Sequence, residues 1–143
     1  MDCIFCEIAS KESDAEVIFE NEKFIAFLDI NPINFGHTLV IPKNHYDNFL
    51  TIGAEELLEL TKLTQYLAGV VKRAVKADGF NIMSNNGVSA GQSVFHFHYH
   101  IIPRFENDSL LRPRTMQYNA DEIGRYGNMI RESVKKYKDL LDG

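Results

Sequence analysis

Between Phe95 and Pro103 the chain reads FHFHYHIIP, a run in which histidine alternates three times with an aromatic residue. Successive side chains of a β-strand point to opposite faces, so residues two apart share one. The run therefore predicts a strand over Phe95–Pro103 with His96, His98 and His100 on one side and Phe97 and Tyr99 packed on the other. Any fold built on it must bury the aromatic side while gathering three imidazoles on one surface. A merely solvated face would more readily carry Thr, Lys or Glu. A metal site using all three rings is a second reading, since imidazole is a common zinc ligand.

The rest of the chain supplies elements to pack against that strand. Glu16 to Asp29 holds two apolar runs separated by Asn21-Glu22, the pattern of a hairpin. His37 to Pro42 is a third strand, stopped by a proline that cannot donate to a ladder. From Ala54 to Ala77, Leu57, Leu60, Leu63, Leu67, Val70, Val71 and Ala74 recur at three and four positions, which predicts one long helix. Asp78-Gly79 ends it, Phe80–Ser84 returns to strand character, and Asn85–Gly91 is a loop of small and turn-forming residues. A C-terminal helix is expected over Asp121–Leu141, with a modest apolar face at Ile123, Tyr126, Ile130, Val134 and Tyr137. There is no internal repeat, low-complexity tract or linker. These elements predict a single α+β domain over residues 1–143, with a mostly antiparallel five-stranded sheet.

Charge narrows the partners. Twenty acidic and 15 basic side chains give a net charge of -5, and no Lys/Arg stripe is suited to tracking a phosphate backbone, which argues against long nucleic acid. Neither the basic start and apolar run of a secretory signal nor an apolar stretch of membrane-spanning length occurs, so the expected location is cytoplasmic, away from membranes. In that setting Cys3 and Cys6, three positions apart, point to a metal or redox role rather than a disulfide framework.

The segment His96-Phe97-His98-Tyr99-His100-Ile101-Ile102 matches the signature His-x-His-x-His followed by apolar residues. Asp29, then GHTLVIPKNH at Gly36–His45, then Asn85, then GQS at Gly91–Ser93 precede it in order. With these the chain resembles the histidine-triad (HIT) family, in its nucleotide-binding, Hint-like branch, over roughly Cys3 to Arg104. The resemblance implies the HIT-like α+β fold and hydrolysis at the α-phosphate of a purine nucleotide. His98 would attack phosphorus to form a nucleotidyl-histidine, and water would then release AMP or GMP. His100 would donate a hydrogen bond to a non-bridging oxygen, where charge accumulates. Ser93 would contact the leaving group, Gln92 would lie beside the phosphate, and Gly91 would let backbone amides approach the anion. His37 would orient its neighbours inside the site. Asp29 would accept hydrogen bonds from both ribose hydroxyls, Asn85 would lie near ribose and phosphate, and Ile4, Phe5, Ile8, Phe27 and Ile30 would surround the base. By residue type alone, an aspartate before Asn31-Pro32 is a turn residue, Gly-Gln-Ser is an ordinary loop, and the apolar positions are core.

Many microbial members carry zinc on two cysteines and two histidines. By that resemblance Cys3, Cys6, His45 and His96 would form a closed, structural Zn2+ site, and the chemistry itself would need no cofactor. Free thiols or a redox pair are the other reading of the cysteines. The substrates implied first are nucleoside phosphoramidates, aminoacyl adenylates or similar AMP conjugates, with dinucleoside polyphosphates as runner-up. A nucleotide-binding adaptor with incidental turnover is a separate class. Nucleotidyl transferases resemble longer chains with glutamine at the last triad position, whereas this chain keeps His100. The family is generally homodimeric, with two sheets joined edge to edge.

Overall fold

Strands that are apolar at nearly every position are stable only where both faces are covered. In the computed structural model, which describes residues 2–110 and 113–142, two such strands, β2 (Phe24–Leu28) and β3 (Thr38–Pro42), lie inside a five-stranded sheet. The sheet also contains β1 (Val17–Glu20), β4 (Gly79–Met83) and β5 (Tyr99–Arg104), in the order β1-β2-β3-β5-β4 with every pairing antiparallel. The Asn21 side chain closes the β1–β2 hairpin by accepting from the backbone N–H groups of Lys23 (3.0 Å) and Phe24 (2.8 Å).

Alternation along the strands divides the core in two. Phe24 and Ala26 of β2, Val40 of β3 and Ile101 of β5 meet Leu60, Leu67, Ala68 and Val71 of the long helix α2 (Ala54–Ala74). Ile25, Phe27, Leu39 and Ile41 face the other way and meet Phe5 and Ile8 of a short helix, α1 (Ile4–Ala9). Phe97, 1% exposed, joins the first cluster, and burying a side chain of that size contributes roughly 2–3 kcal/mol. The ends of α2 suit its dipole, with Glu55 and Glu56 in the first turn and Lys72 and Arg73 in the last.

Three expectations change. The strand predicted over Phe95–Pro103 begins only at Tyr99. In continued register Phe97 would face Pro42, which has no N–H, and β4 gives out at Met83 opposite His100. The Phe97 N–H donates instead to the Tyr46 carbonyl, at 2.6 Å. Alternation survives this loss of the ladder: Phe97 and Tyr99 pack on the α2 side, while the Phe5 ring meets His96 and His98 on the other. Helix α1 was not expected at all. The C-terminal helix predicted over Asp121–Leu141 is interrupted where Tyr137 leaves helical geometry (φ -107°, ψ 22°), giving α3 (Glu122–Lys136) and α4 (Asp139–Asp142).

The chain divides into two compact units, Met1–Asp108 and Ser109–Gly143. The first holds the sheet, α1 and α2; the second holds α3 and α4, and its apolar residues Ile123, Tyr126, Ile130, Val134 and Tyr137 are exposed. No helix among the described residues is long and apolar enough to cross a membrane.

Candidate active site

The three triad histidines separate into two jobs through the hydrogen bond each ring makes. A carbonyl oxygen can only accept, so a ring nitrogen bonded to it must carry the proton, and the other nitrogen of a neutral ring keeps its lone pair. His98 Nδ1 donates to the His96 carbonyl at 2.7 Å, which leaves Nε2 unprotonated with its lone pair available. The His98 ring is buried, held edge-on by Phe5 at 5.0 Å between centroids, and lies 4.8 Å from the His100 ring. Burial pushes its pKa below the ordinary histidine value, with the His96 carbonyl and Asp29 opposing, so the neutral form dominates near pH 7.

The polarity of the neighbouring pair is set by a backbone amide. Ile33 N–H donates to His37 Nδ1 at 3.0 Å, so the His37 proton sits on Nε2. His37 Nε2 lies 2.8 Å from His100 Nδ1 and donates that proton to it. His100 is thereby left with its proton on Nε2, the arrangement a hydrogen-bond donor to an anion requires. Burial lowers the pKa of both rings, and His100, beside His98 and His37, is pushed down to about 4. Asp29 Oδ2 is 3.7 Å from His37 Nε2, while Oδ1 accepts from the Asn31 N–H at 2.9 Å. One carboxylate oxygen thus makes the turn and the other faces the histidines. Asp29, His37 and His100 are near enough to form a metal cage, but a metal on His37 Nε2 would displace the proton that the Ile33 bond requires there.

His96 belongs to a different cluster. Its Nε2 donates to the Pro42 carbonyl at 2.7 Å, leaving the Nδ1 lone pair 3.4 Å from Cys3 Sγ and 3.5 Å from Cys6 Sγ. His45 repeats the arrangement: Nε2 donates to Asp47 Oδ1 at 3.0 Å, and Nδ1 lies 3.3 Å from Cys6 Sγ. A tetrahedral zinc with ordinary bond lengths separates sulfur from nitrogen by about 3.6 Å, so these four donor atoms have the chemistry and spacing to hold one metal ion. The oriented outer nitrogens are what imidazole ligands ordinarily possess. Burial and the adjacent Cys3 sulfur push the Cys6 thiol up to about 11, so a cation is needed to stabilise the thiolate near neutral pH. The reading in which all three triad rings bind one metal is overturned, because His96 turns toward the cysteines and His98 and His100 do not join it.

A family model described as the HIT domain matches residues 10–107. The chain belongs to the HIT family. Among HIT relatives, it is 50% identical over 106 residues to an uncharacterised HIT-like protein of Methanocaldococcus jannaschii, covering 74% of this chain and 81% of that one. It is 31% identical over 136 residues to adenylylsulfatase HINT3 of Arabidopsis thaliana, covering 95% and 69%. A crystal structure of a zinc-bound histidine triad family protein from Mycobacterium smegmatis superposes with a TM-score of 0.74 at 35% identity over 98% of each chain. Cys3 and Cys6 lie outside the segment matched by the HIT model, whereas His37, His45 and the triad lie inside it.

The remaining residues expected at the site of this HIT protein are spread between loop and core. Ser93 is exposed on an open cleft of about 510 Å³ that Cys3, Ile4 and His45 also line. Asn85, half-buried, lies alongside Gly91, whose φ of +93° a side chain would strain. The N–H groups of Gly91 and Gln92 themselves donate within the loop, to the carbonyls of Val88 (3.0 Å) and Gly87 (3.1 Å). The Gln92 side chain is likewise committed, accepting from Gly87 N–H at 2.8 Å and donating to the carbonyls of Asp47 (2.7 Å) and Val94 (3.2 Å). Its role here is to fasten the loop. Of the residues expected around a base, Phe5, Ile8 and Phe27 are core, while Ile4 is 45% and Ile30 is 89% exposed. Asp47 and Ile33 were missed. A carboxylate two residues after a candidate ligand histidine was a usable signal for Asp47; nothing in a side chain announces a backbone donor such as that of Ile33.

Proposed function

We propose that the protein hydrolyses purine nucleotide conjugates at the α-phosphate, with His98 Nε2 as nucleophile and His100 as donor to the developing charge. The observation that carries this reading is the paired tautomers, a free lone pair on His98 Nε2 beside a proton on His100 Nε2. In the first step the lone pair attacks phosphorus, the electron pair of the P–N or P–O bond leaves with the departing nitrogen or oxygen, an amine leaving group takes up a proton from solvent, and nucleotidyl-histidine forms. Water then adds to phosphorus, the bond to His98 breaks, and AMP or GMP departs. Asp29 Oδ2 accepts from ribose hydroxyls, with Asn85 near ribose and phosphate, and Ser93 contacts the leaving group.

Nucleoside phosphoramidates and related AMP conjugates are the substrates we put first. The adenylylsulfatase relative adds adenylyl sulfate to the compounds to be tried. Purified protein is given adenosine 5′-phosphoramidate, adenylyl sulfate and diadenosine tetraphosphate in parallel, and AMP release is followed. Fast release from the phosphoramidate, abolished in His98→Ala, supports the reading; AMP binding without release from any of the three overturns it in favour of a nucleotide-binding adaptor.

Zinc is our assignment for the ion held by Cys3, Cys6, His45 and His96, supported by the donor geometry and by the zinc-bound relative. It would pin α1 to the sheet and stabilise the fold, leaving the phosphoryl chemistry to protein side chains. A homodimer formed through edge strand β4 is supported by the largely apolar groove beside it, lined by Thr64, Ala68, Phe80, Ile82 and Tyr99. A cytoplasmic location accords with two unpaired thiols.

A further inference from the structure

Between β2 and β3 the chain makes a turn whose apolar side chains do not hold it in place. Ile30 and Phe35 are 89% and 87% exposed, and Ile33 is 46% exposed. Yet this turn carries the N–H that decides which nitrogen of His37 is protonated, and through it the tautomer of His100. A donor that sets two tautomers has to be fixed to a few tenths of an ångström, and an exposed turn needs tethers to achieve that.

The tethers converge on Asn34. Its Nδ2 donates to the Pro103 carbonyl at 2.8 Å and to Asp108 Oδ2 at 3.2 Å. Asp108 is itself held rigidly, accepting from Arg104 Nε (2.8 Å), Arg104 Nη2 (3.0 Å) and the Phe105 N–H (3.0 Å). Arg104 is anchored in turn by Asn81 Oδ1 of β4, at 2.8 Å. From its other side Asn34 reaches the active site, its carbonyl accepting from the His37 N–H at 3.0 Å. Gly36 at φ +93° brings the chain against Val75 and Pro103, where an added Cβ would come within 3.1 Å and 3.3 Å of their side chains.

We propose that Asn34 is a positioning residue for the histidine triad: tied to Pro103 and Asp108, it holds the Ile33 N–H on His37 Nδ1 and so makes His100 an Nε2–H donor. The consequence for catalysis rests on the reading of His100 as the phosphate donor; the effect on tautomers does not. Without Asn34 the turn moves, the Ile33 bond loosens, and His37 samples both neutral tautomers. Whenever the His37 proton shifts to Nδ1, His100 Nδ1 loses its donor, and the proton of His100 is free to settle on the wrong nitrogen.

The test reads the ring nitrogens of uniformly 15N-labelled, zinc-loaded protein by long-range 1H–15N correlation, without substrate. Wild type is expected to give His37 and His100 each a bare Nδ1 and a protonated Nε2. In Asn34→Ala both rings should move toward averaged nitrogen shifts, with thermal unfolding little changed. In the phosphoramidate assay kcat should fall about tenfold with KM within about twofold, the split expected of a lost transition-state contact. If Asn34→Ala does not fold, Asp108→Asn, which weakens one of the two tethers, is read in the same way with a smaller displacement. Unaltered His37 and His100 nitrogen shifts in a folded variant, or a protonated His37 Nδ1 in wild type, overturn the proposal. If wild type has no hydrolytic activity the hydrolase reading fails, while the tautomer measurement still decides the role of Asn34.

Discussion

Each histidine of the site is assigned its work by the atom bonded to its outer nitrogen. His96 and His45 donate to Pro42 and Asp47 and present lone pairs to the cysteines; His98 donates to a carbonyl and keeps a lone pair on Nε2; His100 accepts and keeps an N–H on Nε2. Neutrality underlies all the active-site roles, and it has a measurable cost in acid. The His100 pKa is pushed from 6.5 to about 4 in the folded chain, so between those values the unfolded chain binds a proton that the folded chain refuses. Stability is therefore unaffected by this group above pH 6.5 and declines as pH falls toward 4. We predict a lower urea midpoint at pH 5 than at pH 7.5, with a shallower dependence in His100→Gln; equal slopes in the two proteins would remove His100 as the cause. Spacing made the gathering of three imidazoles on one face and the cysteine pair legible in the sequence; the division into ligand, nucleophile and donor came only with the family resemblance. Which nitrogen His37, His98 and His96 use was not legible, because Ile33, His96 and Pro42 act through backbone groups that any residue type possesses, prolines lacking only the N–H.

At the level of elements, what repeats was readable and what is capped or truncated was not. Doubly buried β2 and β3 and the three-and-four spacing of α2 announce themselves in composition. Helix α1 has six residues, too short for a periodic signal, and its cap is an unusual one: the Cys6 N–H donates to Cys3 Sγ at 3.4 Å. The cysteine pair thus starts a helix and, on the zinc assignment proposed above, would also supply metal donors, so Cys6→Ser should lose bound zinc and raise amide exchange in α1 while β2 and β3 keep their protection. The late start of β5 followed from its partner, since Pro42 cannot extend the ladder to Phe97. Phe97 is then held by packing against α2 together with one backbone bond, and Phe97→Ala should destabilise the protein by about 3–5 kcal/mol in urea unfolding. A loss under about 1 kcal/mol would mean that this segment is not packed as described.

Over the whole molecule, both core clusters and every candidate site residue fall within Met1–Asp108, while Ser109–Gly143 forms its own helical unit with an exposed apolar face. The expectation of a single domain rests on length and the absence of a linker. A protein ending at Asp108 should keep its near-ultraviolet circular dichroism and bind one zinc, because it retains both clusters and all four donors. Attack by His98 Nε2 leaves a covalent adduct that can be trapped. The protein is mixed with adenosine 5′-phosphoramidate, quenched at short times, digested, and the peptide containing His98 is weighed. An added adenylyl group is expected on that peptide, confined to His98 on fragmentation and missing in His98→Ala. Adenylate found on another residue, or AMP released at the wild-type rate by His98→Ala, would contradict it.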